Sequence, residues 1–155
     1  MFEHSKTKKK YYSVREKINY YKGILNGKGL KEGQRLPARV REYAEFRLTQ
    51  LKGSLKTSYK DPAVIVTNDR FLGNKISKPR GCVVIDEDSK DRILVSPMEK
   101  RTSKCIILDN DISRQVGNKK VWISKSEIYE NKYIENLPNL TFNDKNKIIN
   151  ILRKK

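Results

Sequence analysis

The 155-residue sequence has one histidine, two cysteines and no run of about 18 apolar residues. Each scarcity bears on function. His4 is the only imidazole and sits in a Lys-rich N-terminal stretch, which disfavours any mechanism built on a catalytic histidine, a histidine metal triad or a Ser-His pair. Cys82 and Cys105 each lie inside an apolar strand-like run, without the close Cys or His neighbours that a zinc site needs. Both read as reduced core residues. The missing apolar run disfavours a membrane-spanning helix, and the Lys-rich start with no apolar stretch behind it disfavours a secretory signal. A soluble, cytoplasmic protein of one core plus an appendage is expected, with no cofactor and no metal. Chemistry would fall to Arg, Lys, Glu, Asp, Tyr or hydroxyl groups.

What the chain has in excess is positive charge, 35 Lys and Arg against 18 Asp and Glu. The residues up to Lys60 hold 16 basic and 5 acidic side chains, net +11, and the rest hold 19 and 13, net +6. Such an excess points to a polyanion, because each cation that neutralises a phosphate releases counterions. A membrane surface is the weaker reading. The helical segments carry narrow apolar stripes with Tyr, not the broad Leu/Phe/Trp face of an interfacial helix.

Residues 1–11 form a basic arm without apolar periodicity, expected to be disordered or to order on a phosphate backbone. Residues 12–58 read as a basic helical hairpin. Its first helix opens at Ser13 with a Ser13/Glu16 capping box, carries Val14, Ile18, Tyr21 and Leu25 at helical spacing, and stops at Asn26-Gly27-Lys28-Gly29. Its second starts near Glu32 or Pro37 and runs to Leu51, with Leu36, Val40, Ala44, Leu48 and Leu51 on one stripe and Gly53 as the stop. The outward face then collects Arg15, Lys17, Lys22, Arg35, Arg39, Arg41 and Lys52, with Tyr11, Tyr12, Tyr20 and Tyr21 close by. Tyrosines beside cations can stack on unpaired bases, although Tyr21, on the apolar stripe, reads as interface filling.

After Tyr59 the period changes. Runs at 62–67, 81–86, 92–96, 104–109 and 120–124 are short and β-branched, separated by turn residues such as Asn68-Asp69, Gly73-Asn74, Asp88-Ser89-Lys90-Asp91 and Gly117-Asn118. Five such strands, a helical turn within 126–133 and a helix from Thr141 through Leu152 predict a small antiparallel barrel or strongly bent sheet closed by a C-terminal helix. The cluster Asp86, Glu87, Asp88 and Asp91 fits no calcium-loop spacing and reads as a solvated turn.

Residues 60–153 resemble the PemK/MazF family of toxin ribonucleases. Lys78-Pro79-Arg80-Gly81-Cys82-Val83-Val84-Ile85 is similar to that family's Lys-x-Arg-Pro stretch entering a buried strand, and Arg92 through Glu99 to its strand ending in Pro-x-Thr. Trp122 and the 136–152 segment are similar to its late strand and closing helix. The resemblance implies an α+β fold: a five-stranded antiparallel SH3-like barrel with a C-terminal helix, here behind a helical hairpin that the resemblance does not cover. It also implies a phosphate-binding role for Arg80. Glu99 stands where the family has a hydroxyl, so the implied catalytic set is Arg80 with Glu99 as base and Thr102 as a replacement hydroxyl. Lys78, Lys100 and Arg101 would add phosphate contacts. Glu99 can equally be a solvated strand-end residue paired to Lys100 or Arg101.

Two functions follow. One is a PemK/MazF-like protein acting on single-stranded RNA, as a metal-independent endoribonuclease toxin or as a binder that has lost catalysis. The other is a non-catalytic DNA-, RNA- or ribonucleoprotein-binding accessory protein of a mobile element or phage, including an inhibitor of host defence, in which the hairpin is the working part. A homodimer and an antitoxin-like protein partner are further expectations.

Overall fold

The structure, a computed structural model, describes residues 11–56, 58–100, 106–116 and 119–153. Residues 1–10 of the predicted arm, Arg101, Thr102, Cys105 and the Gly117-Asn118 turn lie outside the described residues.

Helix α1 spans Val14–Leu25 and begins as its sequence dictates: Ser13 Oγ accepts from the Glu16 amide at 3.2 Å, and Glu16 Oε1 accepts from the Ser13 amide at 2.7 Å. Two glycines with positive φ, Gly27 (84°) and Gly29 (91°), reverse the chain after it. Helix α2 spans Ala38–Gly53 and starts directly after Pro37, whose ring suits a helix entrance. Ala44, Leu48 and Leu51 are buried, but Val40 is 40% exposed, so the inward stripe is one turn shorter than predicted. Periodicity marks which face turns inward, not how far the neighbouring element reaches.

Among the described residues seven strands follow: β1 (Ala63–Asn68), β2 (Pro79–Glu87), β3 (Arg92–Pro97), β4 (Glu99–Lys100), β5 (Ile106–Leu108), β6 (Asp111–Val116) and β7 (Val121–Ser124). They form an antiparallel four-stranded sheet in the order β1-β2-β3-β7 and a three-stranded sheet in the order β4-β6-β5. The mixed α+β class matches expectation. The single five-stranded barrel does not: among the described residues the four-stranded sheet is open and a second sheet is separate. The unforeseen strands are β4, only two residues long, and β6, whose Asp-Ile-Ser-Arg-Gln-Val sequence is too polar to stand out and whose first residue reads as a turn.

Strand β2 explains the layering. Gly81 through Ile85 are all buried, without the alternation of a half-exposed strand, because both faces are covered. Cys82 and Val84 join Ile65, Ile93 and Val95 in a core completed by Val14, Ile18, Leu48 and Leu51 of the hairpin. Val83 and Ile85 face the other way, into a second core with Met98, Ile106, Leu108, Val116, Ile148 and Leu152. The hairpin, the four-stranded sheet and the layer of second sheet plus C-terminal helix are thus stacked in that order. Burial pushes the Cys82 thiol up to about 12, leaving it an inert core residue. At Gly81 a Cβ would come within 2.7 Å of Met98 Cε and 2.9 Å of Leu137 Cδ2, which is why the strand carries glycine there.

The closing helix α3 (Phe142–Lys147) continues as a π-helical turn, Ile148–Leu152. Its Thr141/Asp144 capping box is doubled in use. Buried Asp144 accepts from the Thr141 amide and from the Asp109 amide, each at 3.0 Å, tying the helix start to the β5–β6 turn. No helix among the described residues is long and apolar enough to cross a membrane.

Candidate nucleic-acid interface

Arg80 leaves β2 toward the protein's own groups. Its Nη2 donates to the Met98 carbonyl at 3.1 Å and its Nη1 lies 3.5 Å from Oδ2 of Asp69, a carboxylate that also accepts from Asn74 Nδ2 at 2.7 Å. The guanidinium therefore lies beside the backbone that leads into Glu99 at the start of β4, but it braces that segment. Lys78 is exposed in the loop before β2, and Lys100 follows Glu99 on β4. Arg101 and Thr102, the other members of the implied catalytic set, lie outside the described residues. An Arg80→Ala substitution should cost about 1–3 kcal/mol of stability in urea denaturation, because it leaves a 4%-exposed Asp69 without its cation. An unchanged urea midpoint would show that the guanidinium is free for a ligand.

The acidic cluster is spent in the same manner. Asp88 Oδ1 accepts from the Lys90 and Arg92 amides, Asp91 pairs with Arg15, Glu87 accepts from the Tyr59 amide and Lys125, and Asp86 lies 3.7 Å from Arg153. Among the described residues no group of three or more His, Cys, Asp or Glu is placed to hold a metal.

The seven cations expected on the hairpin's outward face separate into two groups. Arg15 and Lys17 dock the hairpin on the sheet: Arg15 holds Asp91 with two bonds at 2.7 and 3.0 Å, and Lys17 donates to Glu130 at 2.6 Å and to the Tyr133 hydroxyl at 2.9 Å. Lys22, Arg35, Arg39, Arg41 and Lys52 are exposed, with no ion pair among the described residues. At about 100° per residue, Arg39 shares a face of α2 with Tyr43, Phe46, Arg47 and Gln50, whereas Arg41 and Lys52 lie almost opposite.

Tyr43, Phe46, Arg47 and Gln50 of that face form one wall of a groove of about 1070 Å³. Tyr12, Glu16, Lys17, Asn19, Tyr20 and Tyr21 of the α1 region form the other wall, and Glu130 with Lys132 closes one side. Tyr20, Tyr43 and Phe46 are 64%, 56% and 57% exposed. Tyr21 lies between the two exposed tyrosines, with centroids 5.1 Å from Tyr20 and 6.0 Å from Tyr43 at interplanar angles of 77° and 74°, and Arg47 lies 5.8 Å from its centroid.

Glu130, 7% exposed, is the hub of the groove's charges. It accepts from Lys17 at 2.6 Å and from Arg47 at 3.0 and 3.2 Å, with Lys132 at 3.6 Å. Burial works to raise its pKa. The hydrogen bonds and charges of Arg47 and Lys17 outweigh burial and hold it at about 2. Three cations therefore surround a carboxylate that stays ionised.

No family model, curated protein or solved structure matches the chain.

Sequence reasoning placed tyrosines near cations but missed Tyr43, Phe46, Arg47, Lys132 and Glu130 as groove residues. For α2 a signal existed: positions 39, 43, 46, 47 and 50 repeat at helical spacing as a second, aromatic and basic stripe beside the apolar one. For Glu130 there was none, since it meets Arg47 across 83 residues of sequence.

Proposed function

We propose that this protein binds nucleic acid on the groove side of its helical hairpin, with RNA favoured over DNA. The observation that carries the reading is the set of exposed aromatic rings between two helices, with Lys132 among the residues that line the groove and the exposed Arg39 one turn before Tyr43 on the same face of α2, on a chain of net charge +17. The preference for RNA rests on the PemK/MazF-like resemblance. Kinship with that family remains proposed for residues 60–153 on the antiparallel β1-β2-β3 succession, a β2 strand shared by two cores and the capped closing helix, with the open sheet in place of a closed barrel. Binding rather than scission is proposed because Arg80, the residue matched to the family's phosphate ligand, is occupied by Asp69 and the Met98 carbonyl.

The test is a fluorescence-anisotropy titration of labelled RNA and of DNA of the same sequence between 50 and 200 mM salt. The expected result is tighter binding to RNA, with log K falling against log salt by more than about 2, the slope of three or more phosphate contacts on a single strand at about 0.7 each. No binding at 50 mM salt, or a flat salt dependence, would overturn the reading.

A further inference from the structure

The hairpin groove has more structure than a positively charged surface requires. Cations alone attract a duplex and a single strand alike, because both present phosphates. Exposed rings gain nothing from a duplex whose bases are already stacked on each other, but they offer every unpaired base a π-face. Resting on the proposal of nucleic-acid binding, we infer that this groove is a base-stacking cleft for unpaired nucleotides, with Tyr20, Tyr43 and Phe46 as its platforms.

Tyr20 and Tyr43 stand on opposite helices, and both meet Tyr21 at steep angles rather than in a parallel stack. Both residues are more than half exposed and line the groove. Tyr21 is half-buried and packs against the hairpin core, so it forms a fixed floor. The side chains of Asn19 and Gln50, one from each wall, bring amide donors and acceptors to the same space. Arg39 lies one helical turn before Tyr43 on the same face of α2, next to the lining residues, and Lys132, 60% exposed, lines the groove itself. A strand threaded between them would have rings for its bases and a cation toward each end for its phosphates. The volume, about 1070 Å³, stands at the upper end of the span of small-molecule sites, roughly 300–1,000 Å³. Glu130, kept ionised by Lys17 and Arg47, offsets the charge of the floor and leaves the rings to select for bases.

The experiment compares a 12-nucleotide single-stranded RNA with the same sequence as a duplex, using the full chain and its Tyr20→Ala, Tyr43→Ala and Tyr43→Phe variants at fixed salt. The single strand should bind more tightly than the duplex. Each alanine variant should weaken single-strand binding by roughly tenfold and duplex binding far less, and Tyr43→Phe should bind as the parent does. Equal affinity for strand and duplex, or alanine variants that bind like the parent, overturns the cleft while nucleic-acid binding by the hairpin stands. Failure of every nucleic acid to bind overturns both. Light scattering supplies the remaining outcome: a dimer that Tyr43→Ala converts to monomer assigns the groove to a second copy of the chain and overturns the inference.

Discussion

Replacing Glu130 with Gln is expected to lower stability by about 3 kcal/mol at neutral pH, read from the urea midpoint. The carboxylate is held at about 2 against an ordinary 4.5, and a depression of that size corresponds to roughly 3 kcal/mol at 1.36 kcal/mol per pH unit. The side chains concerned are mostly out of water, Glu130 at 10%, Lys17 at 16% and Arg47 at 12% exposure, so solvent screens the interaction little. Removing the anion leaves two poorly solvated cations facing each other, which costs more than the pair itself contributes. The pH dependence has a definite sign. Because the folded-state pKa is depressed, the contribution is fully present above about 4.5 and is lost as pH falls through about 2. The parent protein should therefore lose urea resistance between those limits, and Glu130→Gln should lose much less. Parallel pH profiles for the two proteins would refute the hub. The exposed Arg15–Asp91 pair, at 41% and 50% exposure, should by contrast contribute at most about 1 kcal/mol.

Local chemistry was legible in the sequence and long-range chemistry was not. Both capping boxes, the glycine stop after α1 and the β-branched strands β1, β2, β3, β5 and β7 stand where residue types at short spacing put them, because each rests on contacts a few positions apart. The sheet boundaries were not legible. A uniformly apolar Gly81–Ile85 announces a strand buried on both faces, but not that its two faces serve different cores. The cations were misread as one surface for the same reason. Arg15 and Lys17 look like their neighbours on α1 until the fold brings Asp91 to one and Glu130 to the other, across 76 and 113 residues. Arg80 likewise looks free for phosphate until the turn at Asp69 supplies its carboxylate.

The hairpin cannot be tested by cutting it away. Val14, Ile18, Leu48 and Leu51 close the core under the four-stranded sheet, so deleting residues 1–58 would expose that core and confuse unfolding with lost binding. Charge reversal at exposed positions avoids this and also asks where the charge acts. Arg39→Glu with Lys132→Glu and Arg41→Glu with Lys52→Glu each change the net charge by the same amount. Of the first pair, Lys132 lines the groove and Arg39 lies on the groove-facing side of α2, and the second pair lies on the far side of α2. If phosphates run along the groove, the first double variant should weaken RNA binding on the order of tenfold to a hundredfold at 50 mM salt and lower the salt slope by about 1.4, two contacts at about 0.7 each. The second should weaken it far less and leave the slope nearly intact, since side chains on the opposite side of α2 make no phosphate contact in the groove and release no counterion there. Equal losses from the two pairs would mean that the excess charge attracts RNA without an address, and the groove would lose its claim to be the interface. A loss confined to the first pair ties the chain's positive charge to the face on which Tyr20, Tyr43 and Phe46 are exposed.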